Sequence, residues 1–154
     1  MISCTEFIPA YSALFTEIHQ RGGKHGVARF WEYLSDSCLD NLRSLVEEKG
    51  LAGCWEYWER SLNEEAADFF MELDEAAGIF RIEMQLCPSK GRLLQIPHIT
   101  PYPHYCEHCD TLYRRVLEPL GYKYRLDLSG CDEARCAIVV SIQENESETG
   151  ETDE

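Results

Sequence analysis

The sequence predicts an α+β fold in which a helical N-terminal half leads into a strand, a loop, a helix and an antiparallel β-hairpin packed on the helices. Apolar residues recur at three- and four-residue spacing as far as Leu73, the repeat of helices with one buried face. From Phe80 the spacing drops to two, as in a half-buried strand, and two later alternating runs are joined by residues 129–135. A length of 154 residues and a hydrophobic content of 44 % suit one domain with its own core, placed at residues 1–143.

Taken in order, Phe7, Tyr11, Leu14, Phe15 and Ile18 share a helical face that Arg21-Gly22-Gly23 ends. Val27, Phe30, Trp31 and Leu34 make a second, shorter stripe. Asp36 or Ser37 supplies an N-cap for a third helix carrying Leu39, Leu42, Leu45 and Val46, and Gly50 is placed to stop it. Leu51, Trp55, Trp58 and Leu62 form a fourth stripe. The capping-box pattern Ser61-x-x-Glu64 continues or restarts that helix through Ala66, Phe69, Phe70 and Leu73. Phe80, Ile82, Met84 and Leu86 then alternate with Arg81, Glu83 and Gln85 until Cys87-Pro88 ends the strand. Residues 88–103 hold four prolines and read as a surface loop with a short extended piece at Leu93 to Ile96. Tyr105, Cys109, Leu112, Val116 and Leu117 mark the last helix, limited by Pro119 and closed by Gly121. Tyr122, Tyr124, Leu126 and Leu128 pair with Cys136, Ile138, Val140 and Ile142 as the hairpin.

Charge removes whole classes of partner. Lys and Arg number 14 against 28 Asp and Glu, and a formal charge of −14 disfavours phosphate backbones and anionic membranes. Neither nucleic acid nor a membrane is expected to bind. Residues 144–154 hold six of the acidic residues and no basic one, which reads as a disordered, solubilising tail. No run is long and apolar enough to span a bilayer, and the first residues lack the pattern of a secretory signal, so the chain reads as cytoplasmic.

The chemistry concentrates in Pro103-His104-Tyr105-Cys106-Glu107-His108-Cys109-Asp110, where two thiols, two imidazoles and two carboxylates open a helix. Cys106 and Cys109 are three apart, so they share a face of the first turn, where unpaired N–H groups and the helix dipole favour thiolate. Cys87 ends the strand before the loop, and Cys131 and Cys136 bracket the second half of the hairpin. Zinc is the metal that thiolate and imidazole suit best in four-coordinate geometry. Four uses stay open: a zinc site, a reversible Cys106–Cys109 redox pair, a nucleophilic Cys106 with His104 or His108 as base, and free thiols acting as small apolar side chains. Cys4, Cys38 and Cys54, set among helical apolar residues, are expected in this last role. Trp31, Trp55, Trp58, Phe69 and Phe70 are expected in the core, His19 and His25 in solvent, and His98 is a candidate loop ligand.

Residues 80–142 resemble the L-2-amino-thiazoline-4-carboxylic acid hydrolase-like family of small bacterial proteins. The likeness lies in Leu86-Cys87-Pro88 at a strand end, Tyr105-Cys106 to Asp110 at a helix start, and the hairpin stretch from Gly130 to Val140. The late hairpin cysteine is also similar to vinyl-reductase-type sensor domains. The resemblance implies a bacterial α+β domain with Cys87, Cys106, Asp110 and Cys136 at singled-out positions, and an activity that opens a cyclic thiazoline carboxylate by hydrolysis. Cys109 and Cys131 are additions to that pattern.

The expected function is therefore a hydrolase-like protein acting on a small polar metabolite at a Cys/His-rich site. In its metal form Cys87, Cys106, Cys109 and Cys136 hold zinc and Asp110 or His104 orients a water; in its nucleophile form Cys106 attacks an activated carbon. The alternative is a non-enzymatic, zinc-stapled ligand-sensing module whose aromatic helices form a pocket or a homo-oligomer face.

Overall fold

A computed structural model describes residues 7–143; Cys4 and the acidic tail lie outside the described residues. Five helices and a four-stranded antiparallel sheet make the α+β architecture that the periodicity predicts. Helix α1 (Phe7–Cys38) carries the first two stripes and is interrupted at Gly23, whose φ of 63° and ψ of −168° turn the chain there. This is the break announced by Arg21-Gly22-Gly23. Helix α2 (Asp40–Lys49) ends at Gly50, which takes φ 62° and returns its N–H to the Val46 carbonyl at 2.8 Å. Leu39, not Asp36 or Ser37, stands at its N-cap, without a side-chain cap. Helix α3 (Leu51–Glu64) follows at once.

The first departure comes after α3. Residues 66–73 do not prolong the helix, since Ala66 takes a left-handed φ of 57° and Asp68–Asp74 forms β1. Phe69, Met71 and Leu73 point to one side and Asp68, Phe70, Glu72 and Asp74 to the other, so a period of two competes with the helical reading and wins by pairing along its whole length with β2 (Ile79–Leu86). Phe70 is accordingly 58 % exposed rather than core. The second departure is α4 (Pro88–Leu94) in place of the expected loop and extended piece. Pro88 occupies the first turn, where its missing N–H costs nothing, and the Cys87 thiol caps the helix by accepting the Lys90 N–H at 3.4 Å.

Helix α5 (His108–Leu117) is preceded by a single 3-10 turn, Tyr105–Glu107, and followed by another ending at Gly121, φ 88°. Strands β3 (Tyr122–Asp127) and β4 (Cys136–Ile142) are the expected hairpin. Strand order is β1-β2-β4-β3, so β4 returns to the sheet centre beside β2. One face of the sheet presents Phe80, Ile82, Met84, Tyr124, Ile138 and Val140 to α2, α3 and α5; the other carries Arg81, Glu83, Lys123 and Arg125 in solvent. A separate cluster of Phe15, Val27, Trp31, Leu93, Tyr102 and Tyr105 joins α1 to α4 and the segment entering α5. Two buried polar ties hold that cluster: the Tyr102 N–H donates to the Ser12 hydroxyl at 2.8 Å, and the Ser35 hydroxyl donates to the Leu112 carbonyl at 2.8 Å.

Candidate functional site

One end of the sheet, where β2 and β3 finish and β4 begins, does not close against the helices. A cavity of about 360 Å³ remains there, walled by Met84, Leu126 and Ile138 of the sheet, Tyr57 and Trp58 of α3, and the starts of α1, α4 and α5. Trp58 is fixed in that wall by stacking on Phe80, ring centroids 5.7 Å apart. The lining is mostly apolar, but five thiols reach it: Cys87, Cys106, Cys109, Cys131 and Cys136. All four cysteines assigned to zinc from sequence are among them.

Among the described residues no three His, Cys, Asp or Glu side chains gather closely enough to hold an ion. As arranged, the thiols line one space without meeting at one point. Their protonation also departs from the helix-dipole expectation. Desolvation pushes Cys106, Cys109 and Cys136 up to about 12, each aggravated by neighbouring charge, and raises Cys87 as well. For Cys106, Lys90 is the opposing influence, its ammonium favouring thiolate, but burial outweighs it. Cys87, Cys106, Cys109 and Cys136 therefore rest as thiols, not thiolates.

The imidazoles sort differently from their spacing. His104 pairs with the Glu107 carboxylate at 2.6 Å and lines a second cavity with Trp31, Tyr102 and Asp110. Asp110 accepts both forks of Arg114, at 2.6 and 3.0 Å, and so staples the surface of α5. Neither lines the cavity that holds Cys106, so the predicted set of Cys106, His104 and Asp110 is divided between two pockets. His108 is the imidazole among the thiols. The 3-10 turn before α5 separates the two histidines, because residues four apart stack on one face only if both lie in the same α-helix.

His108 sits in an aromatic cage of Tyr11, Phe15, Trp31 and Tyr105, with the Tyr105 ring nearest at 4.9 Å. Desolvation depresses its basicity and holds it neutral. Its Nδ1 faces the Tyr105 carbonyl, which can only accept, so the ring proton resides on Nδ1 and Nε2 is bare. The Cys109 Sγ lies 3.6 Å from that Nε2. A thiol, an acceptor nitrogen and a carbonyl orienting the ring are thereby connected in series.

Four phenols complete the wall. Tyr11, Tyr57, Tyr105 and Tyr113 are all shifted upward by burial and stay protonated. The Tyr105 and Ser89 hydroxyls share a hydrogen bond of 2.6 Å. Glu65 is exposed at the cavity edge, Arg135 pairs with Glu133, and Lys90 is buried. Elsewhere, His19 is not free in solvent but bonds the Tyr102 hydroxyl at 2.9 Å, whereas His25 and His98 are exposed. Cys54 is buried core and Cys38 is exposed. Lys90, Ser89, Tyr57 and Tyr113 were not singled out by sequence, and Tyr11 and Tyr105 were placed on helices without a role in a site; the signal for Lys90 was its spacing from Leu93, three apart on one face of a helix that four prolines in residues 88–103 disguised as loop.

No protein-family model, no curated protein and no solved structure matches this chain.

Proposed function

We propose that this domain binds a compact, mostly apolar organic molecule in the thiol-lined cavity. The observation that carries the reading is the cavity itself: about 360 Å³, at the lower end of the ~300–1,000 Å³ typical of small-molecule sites, with an apolar lining and a few polar groups drawn from five separate segments. Close packing is the rule in protein interiors, so a core that stops short of closure at one end of its sheet needs an occupant to recover the lost contacts. Trp58 in the wall reports occupancy. A panel of small aromatic and aliphatic compounds titrated against tryptophan emission, repeated with Ser61→Phe to fill the cavity, tests this. Quenching or enhancement that saturates in the wild type and disappears in the folded variant is expected; equal responses from the two proteins sink the proposal.

A second reading, hydrolysis, is favoured by the Cys109–His108–Tyr105 carbonyl series. Cys109, not Cys106, is then the nucleophile. Its sulfur bonds to the central carbon of a cyclic amidinium as the thiol proton passes to His108 Nε2. The tetrahedral adduct then breaks its ring C–N bond, the electron pair leaving with the ring nitrogen, which takes that proton from His108. Water adds to the same carbon, the C–Sγ bond breaks, and the Cys109 sulfur takes back a proton from that water through His108 as the ring-opened carbamoyl product leaves. The thiol stays protonated until attack because burial opposes a standing thiolate. A cyclic thiazoline carboxylate, the substrate class of the resemblance, is the compound to try first. Ring opening by the wild type and by Cys106→Ser, but not by Cys109→Ser, is the expected pattern. Undiminished turnover in Cys109→Ser removes the nucleophile assignment.

A further inference from the structure

Lys90 is the lysine of the cavity wall. It lies in α4 and lines the thiol cavity with only 9 % of its surface exposed. Among the described residues no ion pair includes it, although nine others do form. Long cationic side chains normally lay their stems along apolar surface and keep the ammonium within reach of water, and an ammonium at a cavity wall is free to meet a ligand's negative charge.

Its backbone cannot swing it outward. The Cys87 N–H donates to the Ala134 carbonyl at 2.7 Å, the Gly91 N–H donates to the Cys87 carbonyl at 2.8 Å, and Gly91 packs so closely on Leu86 that a Cβ would stand 3.1 Å from its Cδ1. Helix α4 is pinned at both sides of Lys90. Among the described residues no carboxylate pairs with it: Glu65, the acidic residue of the lining, is exposed at the cavity edge and forms no ion pair with Lys90.

Beside Lys90 stand Ser89 and Tyr105, whose hydroxyls bond to each other. One hydroxyl hydrogen makes that bond and the other is left to donate. A cation and a free hydroxyl donor next to an apolar wall form a receptor for a single negative charge on an otherwise apolar body.

We propose that the ligand of the thiol cavity is an organic monocarboxylate whose carboxylate pairs with Lys90 and accepts from the Ser89–Tyr105 hydroxyl pair. One point charge suits a carboxylate; a phosphoryl group is ordinarily met by several backbone N–H donors or by forked arginines, and Arg135 is committed to Glu133. The assignment rests on the cavity being a ligand site and adds the chemical class of its occupant.

Isosteric pairs test it: benzoate against benzamide and hexanoate against hexanamide, titrated into the full chain by tryptophan emission and thermal shift, with Lys90→Met alongside. The wild type is expected to bind each carboxylate at least roughly tenfold tighter than its amide, the worth of one charged hydrogen bond. Lys90→Met, similar in length and neutral, is expected to erase that preference and to keep amide binding. Equal binding of acid and amide by the wild type, or a preference that survives in Lys90→Met, overturns the carboxylate assignment alone. Binding of none of the four compounds overturns the cavity reading together with it.

Discussion

At the residue scale, two influences act on the thiols near the start of α5, and their sizes decide the outcome. A helix N-terminus stabilises a negative charge by about 0.3–1 kcal/mol, whereas burial can move a titratable group by several pKa units at about 1.4 kcal/mol each. Cys106 and Cys109 therefore follow burial, up to about 12. Reactivity tracks the thiolate fraction, so alkylation by iodoacetamide at neutral pH is expected to mark exposed Cys38 first among the described cysteines. Cys54, Cys106, Cys109 and Cys136 should lag at least roughly tenfold until the chain is unfolded. Peptide mass mapping over a time course checks this, and early labelling of Cys106 or Cys109 would show that the cavity activates them. The cysteines Cys87, Cys106, Cys109 and Cys136 were legible as a group because their residue type and spacing are local facts. That His108 rather than His104 joins them was not, since it depends on one 3-10 turn that no periodicity announces.

At the element scale, α2 and α3 approach closely enough that their backbones touch. A Cβ at Gly53 would lie 2.1 Å from the Leu45 carbonyl oxygen and 2.5 Å from its carbon, atoms that cannot yield without moving α2. Alanine normally gains about 1 kcal/mol over glycine inside a helix, but overpacking of this kind costs about 3 kcal/mol or more. Gly53→Ala is thus expected to lower the urea midpoint clearly, while Gly22→Ala, with nothing within 4 Å, leaves it unchanged or slightly higher. A Gly53→Ala protein as stable as the parent would show that the two helices are not so tightly apposed. The strands β2, β3 and β4 and the stops at Gly50 and Gly121 could be read in advance because pattern and punctuation agree there. Strand β1 could not, because Phe69, Phe70 and Leu73 satisfy a helical repeat as well as an alternating one, and the choice falls to pairing with β2 across the turn that follows. Helix α4 was hidden by prolines that disfavour helix in general and favour it at one position.

At the scale of the whole molecule, pH acts on stability from both sides. His108 is kept neutral on folding, whereas the unfolded chain takes up its proton near the ordinary value of 6.5. Below that pH the unfolded state binds the extra proton, so this contribution is complete above pH 6.5 and lost as the solution becomes more acidic. The buried thiols act at the other end. In the unfolded chain they ionise from about 9 and in the folded chain from about 12, so their contribution is complete below pH 9 and is lost between 9 and 12. Tm measured across this range is expected to form a plateau with two falling limbs, and His108→Gln to shallow the acid limb. An acid limb identical in the two proteins would show that His108 protonates freely in the fold. The convergence of Cys87, Cys106, Cys109, Cys131 and Cys136 belongs to this scale too, because it follows from the antiparallel register that sets Met84 opposite Cys136 and carries the end of β2 to the start of β4.

On the proposed reading, the unclosed end of the sheet leaves part of this protein's interior to be supplied by another molecule. An occupant of the cavity would touch α1, α3, α4, α5 and the sheet at once, serving as a shared side chain where these segments stand apart at this end. Such a molecule stabilises the fold in proportion to the logarithm of its concentration over its dissociation constant. The melting curve of the protein is then a gauge of how much of that metabolite surrounds it.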